Sequence, residues 1–177
     1  ENKKFNHLKI HTQYSICEGA IKIEDLKNFC KEKKIQSIVL CDTSNLCGAL
    51  EFSENISKVG TQPIIGTQIN FKYKNEIGSL PLIANNFDGY KSIISLSSKS
   101  YLDNSGITEP HCSFEDLLKV KKGVTVLSGS LNCLIGKLFL KNLVKEVDDI
   151  FNLLKDNFRD NFYIEIQRHN DVGEKVF

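Results

Sequence analysis

The spacing of apolar and polar residues divides the chain into alternating extended and helical stretches. Residues 5–11 read as an extended segment leading into a polar loop at 12–19. Ile23, Leu26, Phe29 and Cys30 then recur at the spacing of one helix face, which predicts a helix over Ile23–Lys33. Residues 37–41 form a continuous apolar run, short enough for a buried strand, that ends in Asp42. Asn45 is placed to cap a helix over 46–58, with Gly60 closing it. Residues 63–73 read as extended with a break at Gly66, continuing as a hairpin into 79–84.

The second half repeats the alternation. A helix is predicted over 89–102, followed by a polar loop at 103–111. Ser113 with Asp116 resembles a capping box opening a short helix that ends at Gly123. Val124–Leu127 is a strand, and helices over 131–140 and 144–157 lead to a last strand over 162–167. No internal repeat or low-complexity tract interrupts this order. Such alternation predicts an α/β fold with a mostly parallel sheet, open or closed as a barrel. Folds of that class place ligand sites at the carboxyl ends of their strands.

Composition narrows the function classes. With 23 basic and 22 acidic residues the net charge is +1, so the chain lacks the basic footprint of a nucleic-acid-binding surface. None of the six cysteines, at 17, 30, 41, 47, 112 and 133, belongs to a C-x-x-C pair. Several sit in apolar runs, which predicts free, buried thiols in a reducing compartment. Neither a signal peptide nor an apolar run approaching the ~20 residues of a membrane span is found, so a cytoplasmic location with no membrane partner is expected. The chain opens without Met and ends at Phe177 with no stop signal, as a deliberately cut piece would.

The candidate chemistry lies at the predicted strand ends: His11, Asp42, the Ser128-Gly129-Ser130 turn and the segment holding His169. Histidine and aspartate gathered there are possible metal ligands; the alternative is ordinary hydrogen bonding in loops. Tyr14 and Ser15 read as loop-shaping residues and Tyr90 as packing. Lys119, Lys121 and Lys122 read as a solvated helix end.

Six segments, in order, resemble the PHP (polymerase and histidinol phosphatase) domain of the bacterial DNA polymerase III alpha subunit. They are Phe5-Asn6-His7-Leu8-Lys9-Ile10-His11-Thr12-Gln13-Tyr14-Ser15, Asp42-Thr43-Ser44-Asn45-Leu46-Cys47-Gly48-Ala49-Leu50-Glu51-Phe52 and Gln62-Pro63-Ile64-Ile65-Gly66 in the first part of the chain. Leu82-Ile83-Ala84-Asn85-Asn86-Phe87-Asp88-Gly89-Tyr90, Gly123-Val124-Thr125-Val126-Leu127-Ser128-Gly129 and Phe162-Tyr163-Ile164-Glu165-Ile166-Gln167-Arg168-His169 follow. The resemblance implies a PHP-type distorted β/α barrel over residues 1–177, incomplete at its C-terminal end, in a replicative DNA-directed DNA polymerase. The polymerase domains, with their Mg and their hold on DNA, would lie beyond this chain.

The departures from that pattern bear on the site. The resemblance implies metal ligands at several positions, and only His11, Asp42 and His169 keep such residue types. Lys9 stands where a first histidine is implied, and Thr43, Gln68, Ser79 and Ser130 replace other implied ligands. Lys9 and His11 share one strand face, so an ammonium with three donors and no acceptor sits beside the imidazole. The expectation is a vestigial site with no bound metal, and a Lys9 side chain within salt-bridge reach of Asp42 or Glu165. The implied role is a scaffold that docks a proofreading exonuclease subunit and other replicase subunits. The alternatives are an active metal-dependent phosphoesterase or 3′–5′ exonuclease working through His11, Asp42 and His169, and a stand-alone PHP-like protein.

Overall fold

A computed structural model describes residues 5–104, 106 and 109–167 of the chain. After an extended N-terminal segment the elements run α1 (Ile23–Lys33), β1 (Ser37–Thr43), α2 (Ala49–Ser57), β2 (Gln62–Tyr73) and β3 (Glu76–Ala84). Then come α3 (Phe87–Leu102), β4 (Cys112–Ser113), α4 (Phe114–Lys119), β5 (Val124–Leu127), α5 (Leu134–Leu140), α6 (Val144–Phe158) and β6 (Phe162–Tyr163). The strands form one sheet in the order β1-β2-β3-β5-β6, with β4 also pairing β2. β1, β4, β5 and β6 run with β2; β3 alone is reversed, because a tight hairpin joins it to β2. The N-terminal segment lies outside β1, bridged in parallel at Ile10 and Leu40.

Strand alternation sorts the side chains onto two faces. On the outer face Ile38, Leu40 and Ile10 pack against Ile23, Leu26 and Cys30 of α1 and Phe52 and Ile56 of α2. Farther along, Ile69, Phe71, Leu80, Leu82, Val124 and Val126 meet apolar residues of α3, α4, α5 and α6. The inner face carries a small apolar cluster, Val39, Ile83 and Leu127 with Ile64 against it.

The sheet is strongly curled. Six extended segments separate Lys9, on the N-terminal segment, from Glu165, just past β6. Five interstrand spacings of a flat sheet would hold them roughly 24 Å apart. Their charged groups are instead 3.0 Å apart. The architecture is therefore an open, partial barrel with helices outside and the strand faces inside.

Several predicted boundaries move, each for a local reason. Asn45 does not cap α2; its amide donates to the Tyr14 and Thr43 carbonyls and its oxygen accepts from Cys47 N, so the helix starts after Gly48. Gly66 does not break β2. A Cβ there would meet the Leu82 carbonyl oxygen at 2.5 Å, so glycine keeps β2 and β3 close. α5 starts at Leu134, three residues later than predicted, because Cys133 N bonds to Ser130 O in a preceding turn. The β6 ladder stops at Tyr163, after which Glu165 N donates to the Ser128 hydroxyl instead of to a neighbouring strand.

The capping box of α4 is formed: Ser113 Oγ accepts from Asp116 N, and Ser113 N donates to Asp116 Oδ2. Burial raises the Asp116 pKa, but the Ser113 hydroxyl and the Lys99 and Lys119 ammonium groups outweigh it and hold the carboxyl at about 2. A folded pKa below the unfolded value of 3.8 contributes stability that is present above pH 3.8 and lost as pH falls toward 2. Ser113→Ala should lower stability by about 1 kcal/mol at pH 7. Urea melts of both proteins check this, and the gap should shrink once Asp116 is protonated.

Candidate functional site

Alternation places every second residue of each strand on the inner face, and at the carboxyl ends of the parallel strands these are polar. The N-terminal segment contributes Lys9 and His11, β1 contributes Cys41 and Thr43, and β2 contributes Gln68. β3 contributes Ser79, and the turn after β5 brings Ser130 and Cys133. Glu165 enters from the far edge.

These side chains form a connected network. Gln68 Nε2 donates to Thr43 Oγ1 at 3.2 Å and lies 3.4 Å from His11 Nε2. Thr43 Oγ1 also lies 3.4 Å from His11 Nδ1 and donates to the Glu18 carboxylate, whose Oε2 is 3.7 Å from the same ring nitrogen. On the other side, Cys133 Sγ reaches Gln68 Oε1 at 3.7 Å, accepts from Ser79 Oγ at 3.4 Å and stands 3.7 Å from Ser130 Oγ. Of the positions singled out in the sequence, His11, Thr43, Gln68, Ser79 and Ser130 thus meet in one chamber with Lys9. His169 lies outside the described residues.

Lys9 meets Glu165, not Asp42. The two side chains are 12% and 13% exposed, so the pair is largely withdrawn from water. Glu165 is held by Ser128 Oγ at its backbone N–H and by the Gln167 amide at Oε1, while its buried Oε2 has no hydrogen-bond partner among the described residues. Burial, and then the Lys9 charge, lower the His11 pKa below its usual 6.5. His11 is accordingly a neutral imidazole at pH 7. Burial likewise pushes the enclosed Cys41 thiol far up, which leaves it inert as a nucleophile.

Asp42 occupies the helix-facing side of β1 and does a different job. Its fully buried carboxylate accepts from Thr12 N at 2.6 Å, Thr12 Oγ1 at 2.7 Å and Ser15 Oγ at 2.7 Å. The Ser15 hydroxyl in turn accepts from Thr43 N and lies 3.4 Å from His11 Nδ1, so Asp42 touches the chamber only through Ser15. A second clamp holds the same loop. Tyr14 OH donates to Glu51 Oε2 at 2.6 Å, and its carbonyl is held by Asn45. A Cβ at position 48 would meet the Tyr14 ring at 2.6 Å, which explains glycine there. The Asn45-Leu46-Cys47-Gly48-Ala49-Leu50-Glu51-Phe52 segment is therefore a grip on Tyr14 that ends in the fully buried Phe52.

Sequence reasoning missed Glu18 and Cys133. Glu18 is one of several polar residues in a loop, with nothing in the pattern to mark it. Cys133 lies three residues past Ser130, and only the turn ahead of α5 reveals that it faces inward. Among the described residues no three His, Cys, Asp or Glu side chains gather as a metal site would require.

A PHP domain model matches residues 7–169. The chain belongs to the PHP domain family. Similar proteins include DNA polymerase III subunit alpha of Rickettsia felis, 35% identical over 98% of this chain. The proteins of that name from Borreliella burgdorferi and Caulobacter vibrioides are each 33% identical, over 98% and 96% of the chain. The chain spans only 14–16% of the length of these relatives. Among solved structures, a protein of Bifidobacterium adolescentis assigned as a metal-dependent phosphoesterase superposes with a TM-score of 0.53 at 11% identity, covering 96% of this chain and 91% of that one. An amidohydrolase of Chromobacterium violaceum, with sulfate and no metal bound, gives 0.50 at 11% identity over 90% and 84% of the two chains. At that identity the likeness is one of fold.

Two measurements check the site. Asp42→Ala strands the donors of Thr12 and Ser15 and should cost about 3 kcal/mol in a urea melt, with Tyr14→Phe costing about 1 kcal/mol. Lys9→Gln removes a positive neighbour, so the His11 pKa should rise toward 6.5 in an NMR titration.

Proposed function

We propose that this chain is the PHP portion of the alpha subunit of a replicative DNA polymerase, that its chamber holds no working metal centre, and that it serves as a scaffold docking a proofreading exonuclease subunit. The subunit's polymerase activity, its Mg and its contacts with DNA belong to regions outside this chain. Support for the first part comes from the DNA polymerase III alpha relatives, which match nearly the whole chain.

The single observation carrying the second part is the Lys9 ammonium, 3.0 Å from Glu165. The fold family implies a metal, as in the phosphoesterase neighbour, and the donor set does not fit one. Zinc takes thiolate, imidazole and carboxylate ligands, about four per site. Here the chamber offers one imidazole, the Cys41 and Cys133 thiols and the carboxylates of Glu18 and Glu165 beside hydroxyls and an amide. Among the described residues no three of these gather at one point, and Glu165 already answers a lysine. A divalent cation near Glu165 would face the Lys9 charge in surroundings of low polarity, where like-charge repulsion is strong. The near-neutral charge of the chain, +1, fits a docking role better than a grip on the DNA backbone.

The chain should release no nucleotides from single-stranded or mismatched DNA, with or without Mn²⁺ or Zn²⁺, and should bind the cognate exonuclease subunit in a calorimetric titration. Metal-dependent release abolished by His11→Ala would instead favour an active phosphoesterase or exonuclease. Absence of binding would remove the scaffold role.

A further inference from the structure

The two outer edges of the curled sheet are the N-terminal segment, bridged to β1, and β6, paired to β5. Among the described residues no ladder joins these edges to each other. A curled sheet held only along its ladders can spread, because nothing in strand pairing sets the distance between its free edges. The Lys9–Glu165 contact spans that gap.

We propose that Lys9 and Glu165 form a latch that keeps the barrel curled, in which an ammonium belonging to the chain does the charge-neutralising and strand-joining work of a bound cation. The anchor is preset on the β6 side. Glu165 N is tied to Ser128 Oγ at 2.9 Å, so the carboxylate is directed inward before it meets its partner. Lys9 is preset on the other side by the parallel bridge at Ile10, which turns the lysine toward the interior. The contact is 87–88% shielded at its side chains, which limits screening by salt. The unpartnered Oε2 of Glu165 makes the carboxylate depend on Lys9 for its neutralisation.

Such a latch couples two segments more than 150 residues apart in sequence, residues 7–12 and 162–166. Loss of the ion pair loosens both edges together, and the coupling needs no metal. This holds whether or not the chain docks another protein, but it rests on the reading that the chamber holds no metal.

Hydrogen–deuterium exchange on the full chain tests it, comparing the parent with Lys9→Met, Glu165→Gln and the double variant. Each single variant should speed exchange in both edge segments by about tenfold while leaving α3 and α4 unchanged. The double variant should be no faster than either single one, because both remove the same contact. EDTA should leave the parent unchanged. Acceleration confined to one edge, effects of the two substitutions that multiply, or loosening of the parent by EDTA would each overturn the latch. If Lys9→Met does not fold, Glu165→Gln, which keeps the shape and an acceptor oxygen, supplies the same two-edge readout.

Discussion

The curvature of the sheet is the constraint on which the rest depends. With every helix on the outer face, the inner face of each strand has nowhere to point but into the enclosed space. Strand period then decides the lining residue by residue: Val39 and Ile83 toward one end, Thr43, Gln68 and Ser79 toward the other. Gln68, Lys9 and Glu165 are largely withdrawn from solvent, and buried polar groups are costly without partners. That requirement accounts for the run of contacts from Glu18 through Thr43, Gln68 and Cys133 to Ser79.

The same strand period gives neighbouring residues opposite tasks. Cys41 and Thr43 face the chamber, while Asp42 between them faces the helices and ties down Thr12 and Ser15. With Tyr14 fixed by Glu51, the loop is held at three successive places. This rigidity sets Glu18 against His11, since a loose loop would pay too much entropy to keep an exposed carboxylate there. An acidic residue at a strand end is thus a structural organiser here, reaching the chamber only through a hydroxyl.

The chemistry of the chamber differs from that of a metal centre in kind. A metal centre gathers several acceptors around one cation; among the described residues this chamber distributes polar side chains, with Glu18 beside Thr43 and His11 and Lys9 against Glu165. A buried ion pair is often no more stabilising than well-packed apolar residues of the same volume, because desolvation offsets attraction. Its value lies in position: the pair is satisfied only when the two edges are in place. Fold likeness to a phosphoesterase does not by itself assign phosphoester chemistry to this lining.

Much of the fold was legible in the residues. α1 and β5 occur at the predicted bounds and α6 within a residue, because hydrophobic period and the turn residues beside them are local signals. The Ser113–Asp116 box was legible for the same reason. Lys9 and His11 on one face followed from strand alternation; Glu165 was expected inward on the same ground, but β6 ends at Tyr163 and the Ser128 hydroxyl holds the Glu165 backbone there. What alternation cannot say is which strand edges approach across space. Only the tertiary structure decided that Lys9 answers Glu165 and not Asp42, that Asn45 serves Tyr14 instead of capping α2, and that Cys133 enters the chamber. Each of these contacts joins residues whose proximity depends on how far the sheet curls and how its loops are pinned, a sum of packing over the whole chain that no local pattern encodes.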